Sequence, residues 1–368
     1  MTLAQLTRPA APVARRLGSA RFELATARDD GELRGLLHDT PMGGPIRLLF
    51  LREPSYLEAA GVQGEEVQVI VARVDGKITG VATRALRPTW INGERVTAGY
   101  LSDLRLLPAL RGGTLLHRGY RFLRQLHDDG KARIYSTVIV ADNERALSTI
   151  AAGRAGLPRY TDLGLVHTPL LHLQRALPAI DADIRRGTLG ELADIVGKLN
   201  ETRLQFAPLY RTEDFLPGGR LLGLCAQDFY VLRREGRIAG VLAVWDQSAF
   251  RQTVVHGYAG ALAWLRPLVN LVHSSALPAP GRALAYSHVA LISTDDEEAF
   301  RALLRRASND ALRAGSSRLV VGLHERDPRL AALEAYSRTP FAGRLFAVTF
   351  DEAPELDGRV PYVEASLL

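Results

Sequence analysis

One cysteine, Cys225, is all the chain holds, which excludes an intrachain disulfide and any multi-cysteine zinc site. Its apolar surroundings, Leu221 to Ala226, predict a buried and inert thiol. Lysine is nearly absent. Lys77, Lys131 and Lys198 are the only ones, so arginine carries the positive side of a net charge of +6. That bias, with abundant Ala, Gly and Leu, matches high-GC coding and an expected bacterial source, and it weakens any step from arginine to nucleic acid. No basic run with interleaved aromatics occurs, so no nucleic-acid partner is expected. No apolar run approaches the ~18–20 residues of a spanning helix, so no membrane segment and a cytoplasmic location are expected. Residues 1–20 lack acids and hold no apolar h-region; they read as a flexible tail rather than a secretory signal. His324-Glu325 and His288 have no companions at ligand spacing, so no metal is expected. Neither a G-x-S-x-G elbow nor a P-loop pattern is found.

What is present is more than one core's worth of chain. With 368 residues, 47% hydrophobic and 23% charged, the length favours two domains of ordinary soluble composition. Arg21 to Ala27 reads as a strand, and Asp29-Asp30-Gly31-Glu32 opens a helix with acids in its first turn. Val67 to Val74 and Ile78 to Leu86 flank the hairpin signal Asp75-Gly76. Asn92-Gly93 marks a second hairpin returning along Val96 to Leu107. A helix, the strand Ile134 to Val140, a helix opened by Asp142-Asn143-Glu144, and a last strand Leu163 to Leu173 complete a mixed sheet flanked by helices.

The pattern then returns. Gly31-Glu32-Leu33 is echoed by Gly190-Glu191-Leu192, and the hairpin Val71 to Val81 by Val231 to Val241. The strand from Tyr100 is echoed by Tyr286 to Ile292, and Gly130 to Val140 by Gly315 to Leu323. The expected fold is therefore α/β, two copies of one mostly antiparallel mixed sheet flanked by helices. The tail ends at residue 20, and the first domain spans 21–176. A linker covers 177–187, the second domain 188–352, and a C-terminal tail 353–368.

The copies differ after their central strands. The first has Leu104-Arg105-Leu106-Leu107-Pro108, then Arg111-Gly112-Gly113-Thr114, then helical spacing from Leu115. Two readings of this turn stand: a plain strand-to-helix connection, or a cradle of N–H groups and a helix N-terminus for a pyrophosphate, with Arg111 adding charge. The second has Ser293-Thr294-Asp295-Asp296-Glu297-Glu298, which would repel a phosphate but starts a helix well, with Ser or Thr as cap and acids in the first turn.

The stretch Leu104 to Leu116 resembles the central strand and turn of the GNAT superfamily of acyl-CoA-dependent N-acyltransferases, commonly L-x-V-x-P-x-x-R-G-x-G-x-G/A. Leu104, Pro108, Arg111 and Gly112 fit; Thr114 and Leu116 replace glycines. Asn143-x-x-Ala146 and Gly156-Leu157 resemble later family motifs. Ile150 stands where the family often has a tyrosine acid, and Tyr160 lies too far along to replace it. The resemblance implies tandem GNAT-like domains, the first using acetyl-CoA or another acyl-CoA as cosubstrate and a small-molecule or peptide amine as acceptor. It implies cofactor contacts at Leu106, Leu107, Arg111, Gly112, Gly113, Thr114, Leu115 and Asn143, with the backbone near Leu106 and Leu107 polarising the thioester. Asp103 is the candidate base, or a structural acid paired with an arginine. Tyr100 lines the acceptor pocket or belongs to the core. His117 is read as a surface residue, and Asn143 also as a helix cap. The second copy is read as fold-keeping, without its own cofactor. A homo-oligomer stays open. Two other functions remain: a ligand-binding protein that has lost catalysis, and an aminoacyltransferase fed by charged tRNA.

Overall fold

The computed structural model describes residues 20–111, 114–151, 157–260 and 278–368. The front half runs β1 (Arg21–Leu24), α1 (Asp30–Asp39), β2 (Ile46–Leu51), α2 (Tyr56–Gly61), β3 (Glu66–Val74), β4 (Lys77–Ile91), β5 (Glu94–Leu106), α3 (Leu115–His127), β6 (Tyr135–Val140), α4 (Glu144–Ala151), β7 (Arg159–His167) and β8 (Leu170–His172). The back half runs β9 (Asp183–Arg186), α5 (Leu192–Asn200), β10 (Phe229–Arg234), β11 (Arg237–Trp245), β12 (Gln252–Tyr258), β13 (Ser287–Thr294), α6 (Glu297–Arg313), β14 (Arg318–Val321), β15 (Leu323–His324), β16 (Ser337–Thr339) and β17 (Ala342–Thr349).

Hairpin chemistry sets the strand pairs. Asp75 and Gly76 have φ of 51° and 80°, Asn92 and Gly93 53° and 80°, and Glu235 and Gly236 51° and 79°. Positive φ at both central residues is the turn whose twist matches two antiparallel strands, which is why Asn-Gly and Asp-Gly signal it. Along β3 the side chains alternate. Val69 and Val71 pack with Leu33, Leu37 and Tyr56 of α1 and α2, while Ile70 meets Tyr120 and Leu123 of α3. The back half repeats the plan: Val231, Val241 and Ala243 pack on α5, and Tyr230, Leu232 and Leu242 on α6.

The two sheets exchange strands. The front sheet is ordered β1-β3-β4-β5-β6-β17-β7-β15 and the back sheet β16-β8-β14-β13-β11-β10-β9. β17 comes from the back half yet lies between β6 and β7, and β8 leaves the front half to pair with β14 and β16. β2 and β12 form a further pair between the halves. The segment read as one last strand, Leu163 to Leu173, is thus two strands in different sheets, divided at Thr168-Pro169. Proline removes the N–H that a continuing ladder needs. The stretch read as linker, 177–187, includes β9, which pairs with β10. The N-terminal tail lies, except for Ala20, outside the described residues. No helix among them is long and apolar enough to cross a membrane.

Cys225 corrects a sequence expectation: it is exposed, not buried. It caps the short turn 226–228, where its Sγ donates to Asp228 Oδ2 at 3.2 Å, while Leu221 and Leu224 beside it point inward.

Under the front sheet, Arg84 is completely buried and donates to both oxygens of Asp129 at 2.8 and 2.9 Å and to the Tyr135 hydroxyl. The hydrogen bond from Arg84 holds the Asp129 carboxyl below its usual range, against a smaller opposing effect of burial. A carboxyl lowered in the folded state stabilises above its unfolded pKa of about 3.9, and that contribution fades as pH falls through the folded value. Asp129→Asn should therefore lower the melting temperature at pH 7, with the gap to wild type closing below about pH 4. Calorimetric scans from pH 7 to pH 3 check this; a gap independent of pH would remove the ion pair as its cause.

Candidate active site

The front sheet opens where two parallel strands part. β5 and β6 pair only at Gly99↔Tyr135 and Tyr100↔Ser136. One further tie follows, the Thr137 hydroxyl donating to the Leu101 carbonyl at 2.8 Å. Beyond it β5 stays with β4 and β6 stays with β17. Glycine is required at the junction: a Cβ on Gly99 would lie 1.9 Å from the ring of the fully buried Tyr135.

β5 also carries a bulge at this opening. Val81 pairs with Arg105 and Thr83 with Ser102, so Asp103 and Leu104 together face Ala82. Asp103 has φ of 55°, a left-handed conformation that aspartate tolerates better than most side chains. Bulges bend a strand and re-aim its groups. The back sheet has the same break: Val241 pairs with Ser293 and Ala243 with Ala290, leaving Leu291, with φ of 51°, and Ile292 opposite Leu242. Asp103 thus corresponds to Leu291.

The back copy shows where the bulge points its N–H. Leu291 N–H leaves the ladder and donates to Glu364 Oε2 at 2.8 Å. Asp103 holds the same register position in the front sheet, at the edge of the opening between β5 and β6. Glu364 is 4% exposed. Its Oε2 also accepts from the Tyr362 hydroxyl at 2.7 Å, and its Oε1 from the Ser366 amide and hydroxyl at 3.2 and 2.7 Å. Ala365 packs on Gly322, where a Cβ would come within 2.3 Å of it. Residues 362–366, assigned from sequence to a C-terminal tail, therefore occupy the back opening. The acids after β13 start a helix, but its cap is Asp296 and not Ser293 or Thr294, which still belong to β13: Asp296 Oδ1 accepts the Ala299 N–H at 2.7 Å, and Asp295 binds Lys198 and Arg237.

The structure brings Asp103 and Tyr100 together. Asp103 Oδ2 is held by Arg52 and accepts from the Tyr56 hydroxyl at 3.3 Å. Its Oδ1 has no partner among the described residues. The acid is thus anchored by an arginine and still presents one oxygen. Tyr100 is buried with the Arg87 guanidinium 5.6 Å over its ring. Burial, then the charge of Asp103, pushes its phenol well above the ordinary value, so it stays protonated and takes no proton from a substrate.

The other sequence candidates divide. Leu106 and Leu115 pack side by side with Val74 and Leu110, and a Cβ on Gly80 would strike Leu106 at 2.4 Å. The Leu107 N–H is taken up by the Thr79 carbonyl at 2.9 Å, so it faces β4 rather than the opening. Arg111 is exposed, its Nε donating to the Leu106 carbonyl at 3.1 Å. Thr114 is exposed at the start of α3, as is His117 one turn in. Gly112 and Gly113 lie outside the described residues. Asn143 caps α4, its Oδ1 accepting the Ala146 N–H at 3.2 Å. Tyr160 shares a 2.5 Å hydrogen bond with the Tyr120 hydroxyl. Sequence reasoning missed Arg52, Arg251 and Glu364, which lie far from β5 in sequence and in no motif.

No family model and no curated protein matches the chain. Solved structures do. Saccharomyces cerevisiae N-myristoyltransferase with bound myristoyl-CoA is similar over 94% of this chain and 82% of its own, at 11% identity and a TM-score of 0.62. A tandem GNAT protein from the clavulanic acid biosynthesis pathway matches over 91% of this chain and 100% of its own, at 14% identity and a TM-score of 0.54. A probable N-acyltransferase from Enterococcus faecalis covers 89% of this chain and 72% of its own, at 11% identity and 0.51. The chain has the tandem GNAT fold. At these identities the likeness is one of fold, and it agrees with the doubled mixed sheet.

In this tandem GNAT fold the back opening depends on one carboxylate. Glu364→Ala should orphan the Leu291 N–H and the donors around Ser366 and lower unfolding free energy by about 2–4 kcal/mol, as loss of a buried charged acceptor does. Denaturant titration measures it; a change under about 0.5 kcal/mol, the range of an ordinary surface substitution, would show that the carboxylate does not hold the segment.

Proposed function

We propose that the front copy binds an acyl-CoA thioester along the open edge of β5 and passes the acyl group to an amine. The observation that carries this reading is the inequality of two matching bulges. The back one gives its N–H to a carboxylate of the same chain, while the front one faces an opening with Asp103 beside it. An outward N–H at that place suits a carbonyl oxygen that gains charge as the thioester is attacked. The solved structures of similar fold include N-acyltransferases by name, one with myristoyl-CoA bound.

The chemistry follows from the groups at hand. The amine nitrogen bonds to the thioester carbon while the Asp103 N–H stabilises the oxygen. Asp103 Oδ1 accepts the proton the nitrogen must lose. The carbon–sulfur bond then breaks, its electron pair leaving on the CoA thiolate, which takes a proton from solvent. Arg111, with the turn at 112–113 and the start of α3, would meet the CoA pyrophosphate. Acetyl-CoA is the acyl donor we favour, in a cytoplasmic setting.

Calorimetry with acetyl-CoA and longer acyl-CoA thioesters tests the first part. Wild type should bind at least one of them, and Arg111→Glu should weaken it tenfold or more, the effect of reversing one phosphate-facing charge on the order of 1.4 kcal/mol. No binding of any thioester would remove this function. Asp103→Asn should lower thiol release about 100-fold or more, in the range of a general base, with thioester affinity kept. Binding with no release from wild type across a broad amine set would make the protein a ligand-binding relative.

A further inference from the structure

Resting on that reading, we propose that the acceptor amine carries a carboxylate close to its nitrogen, as an α-amino acid does, and that Arg52 and Arg105 hold it, with Arg251 at its flank. The sequence offers no hint of this, because the three arginines belong to three distant segments.

The cluster is short of hydrogen-bond acceptors. Arg52 is 6% exposed; one terminal nitrogen binds Asp103, its guanidinium lies 4.7 Å over the Tyr56 ring, and Nη1 is buried without a partner. Arg105, two residues beyond Asp103 on β5, donates from Nη1 to the Thr40 carbonyl at 2.9 Å, and its Nε is buried without a partner. No carboxylate among the described side chains stands within ion-pair distance of Arg105. Two guanidiniums thus share the single charge of Asp103.

Arg251 reaches the same group from the back half. It donates to the carbonyls of Ala59 and Ser366 at 3.1 and 3.0 Å and to Leu368 O at 3.1 Å, and its buried Nε has no partner. Burial, reinforced by repulsion from Arg52, lowers its pKa to about 9. Burial lowers that of Arg105 too.

Buried donors are normally matched, and three guanidinium nitrogens near Asp103 are not. A planar two-oxygen anion completes them, since guanidinium edges fit carboxylates in direction as well as charge. The same anion sets the register of the reaction, placing its amine by Asp103 Oδ1 and the open edge of β5. Polycationic amines are disfavoured, because the cluster repels further positive charge.

The test pairs glycine, L-alanine, L-glutamate and L-phenylalanine with their α-amides in an acyl-CoA thiol-release assay. At least one acid should exceed its amide about 100-fold in kcat/KM, and Arg105→Gln should collapse that ratio toward one, with Arg105→Lys restoring part of it. Thermal shift of the thioester-free protein supplies a second readout. The preferred acid should raise the melting temperature of wild type and not of Arg105→Gln, and circular dichroism confirms that the variant is folded. Amides turned over as fast as acids would overturn the proposal while leaving acyl transfer standing. Stabilisation by an acid in a protein that binds no thioester would do the reverse. Neither stabilisation nor acid preference would sink the anion site.

Discussion

One residue in a left-handed conformation in the middle of a strand governs both halves of this protein. Asp103 and Leu291 each break an antiparallel ladder at the same register, and in the back sheet the break frees a peptide N–H. Such a donor cannot be left buried and unmatched. The back sheet satisfies it with Glu364. The front sheet places the matching residue, Asp103, at the opening between β5 and β6, with Arg52 on its carboxylate. Two copies of one fold carry the same kink, one filled by the chain itself and one at an opening.

The opening depends in turn on parallel pairing that stops early. Tyr135 occupies the space that a side chain on Gly99 would need, and β6 is drawn toward β17. The filled back opening also touches the front site. Gln63, with no exposed surface, donates to the Leu367 carbonyl and accepts from the Ser102 hydroxyl next to Asp103. The segment that closes one opening thereby braces the rim of the other.

Much of the scaffold was legible in the sequence because local chemistry dictates it. Asp75-Gly76, Asn92-Gly93 and the echo at Glu235-Gly236 mark turns that demand positive φ, and the acids after β13 announce a helix, though its cap proved to be Asp296 rather than Ser293 or Thr294. The doubling was visible through those turns and their order. The partnership of strands was not. β17 shows the same alternation whichever sheet it joins, so its place between β6 and β7 rests on packing that no window of sequence contains. Asp103 was readable as an acid near the turn, yet not as a bulge, since nothing but its backbone angle distinguishes it from its neighbours. Leu107 looked available to a ligand, but its N–H belongs to Thr79. Cys225 misled because the side chains next to it are apolar while its own points out. Glu364 and Arg251 carry no motif and gain meaning only from what the fold sets beside them.

The exchange of β17 and β8 also bears on the order in which the molecule is made. β6 and β7 leave the ribosome early, but the strand that joins them is roughly 200 residues behind, about 10–40 s of synthesis at common rates of translation. Through that interval the front sheet has two unzipped edges facing each other, a state that invites pairing with a neighbouring nascent chain. Completion of the front sheet thus waits on the last strand of the back half.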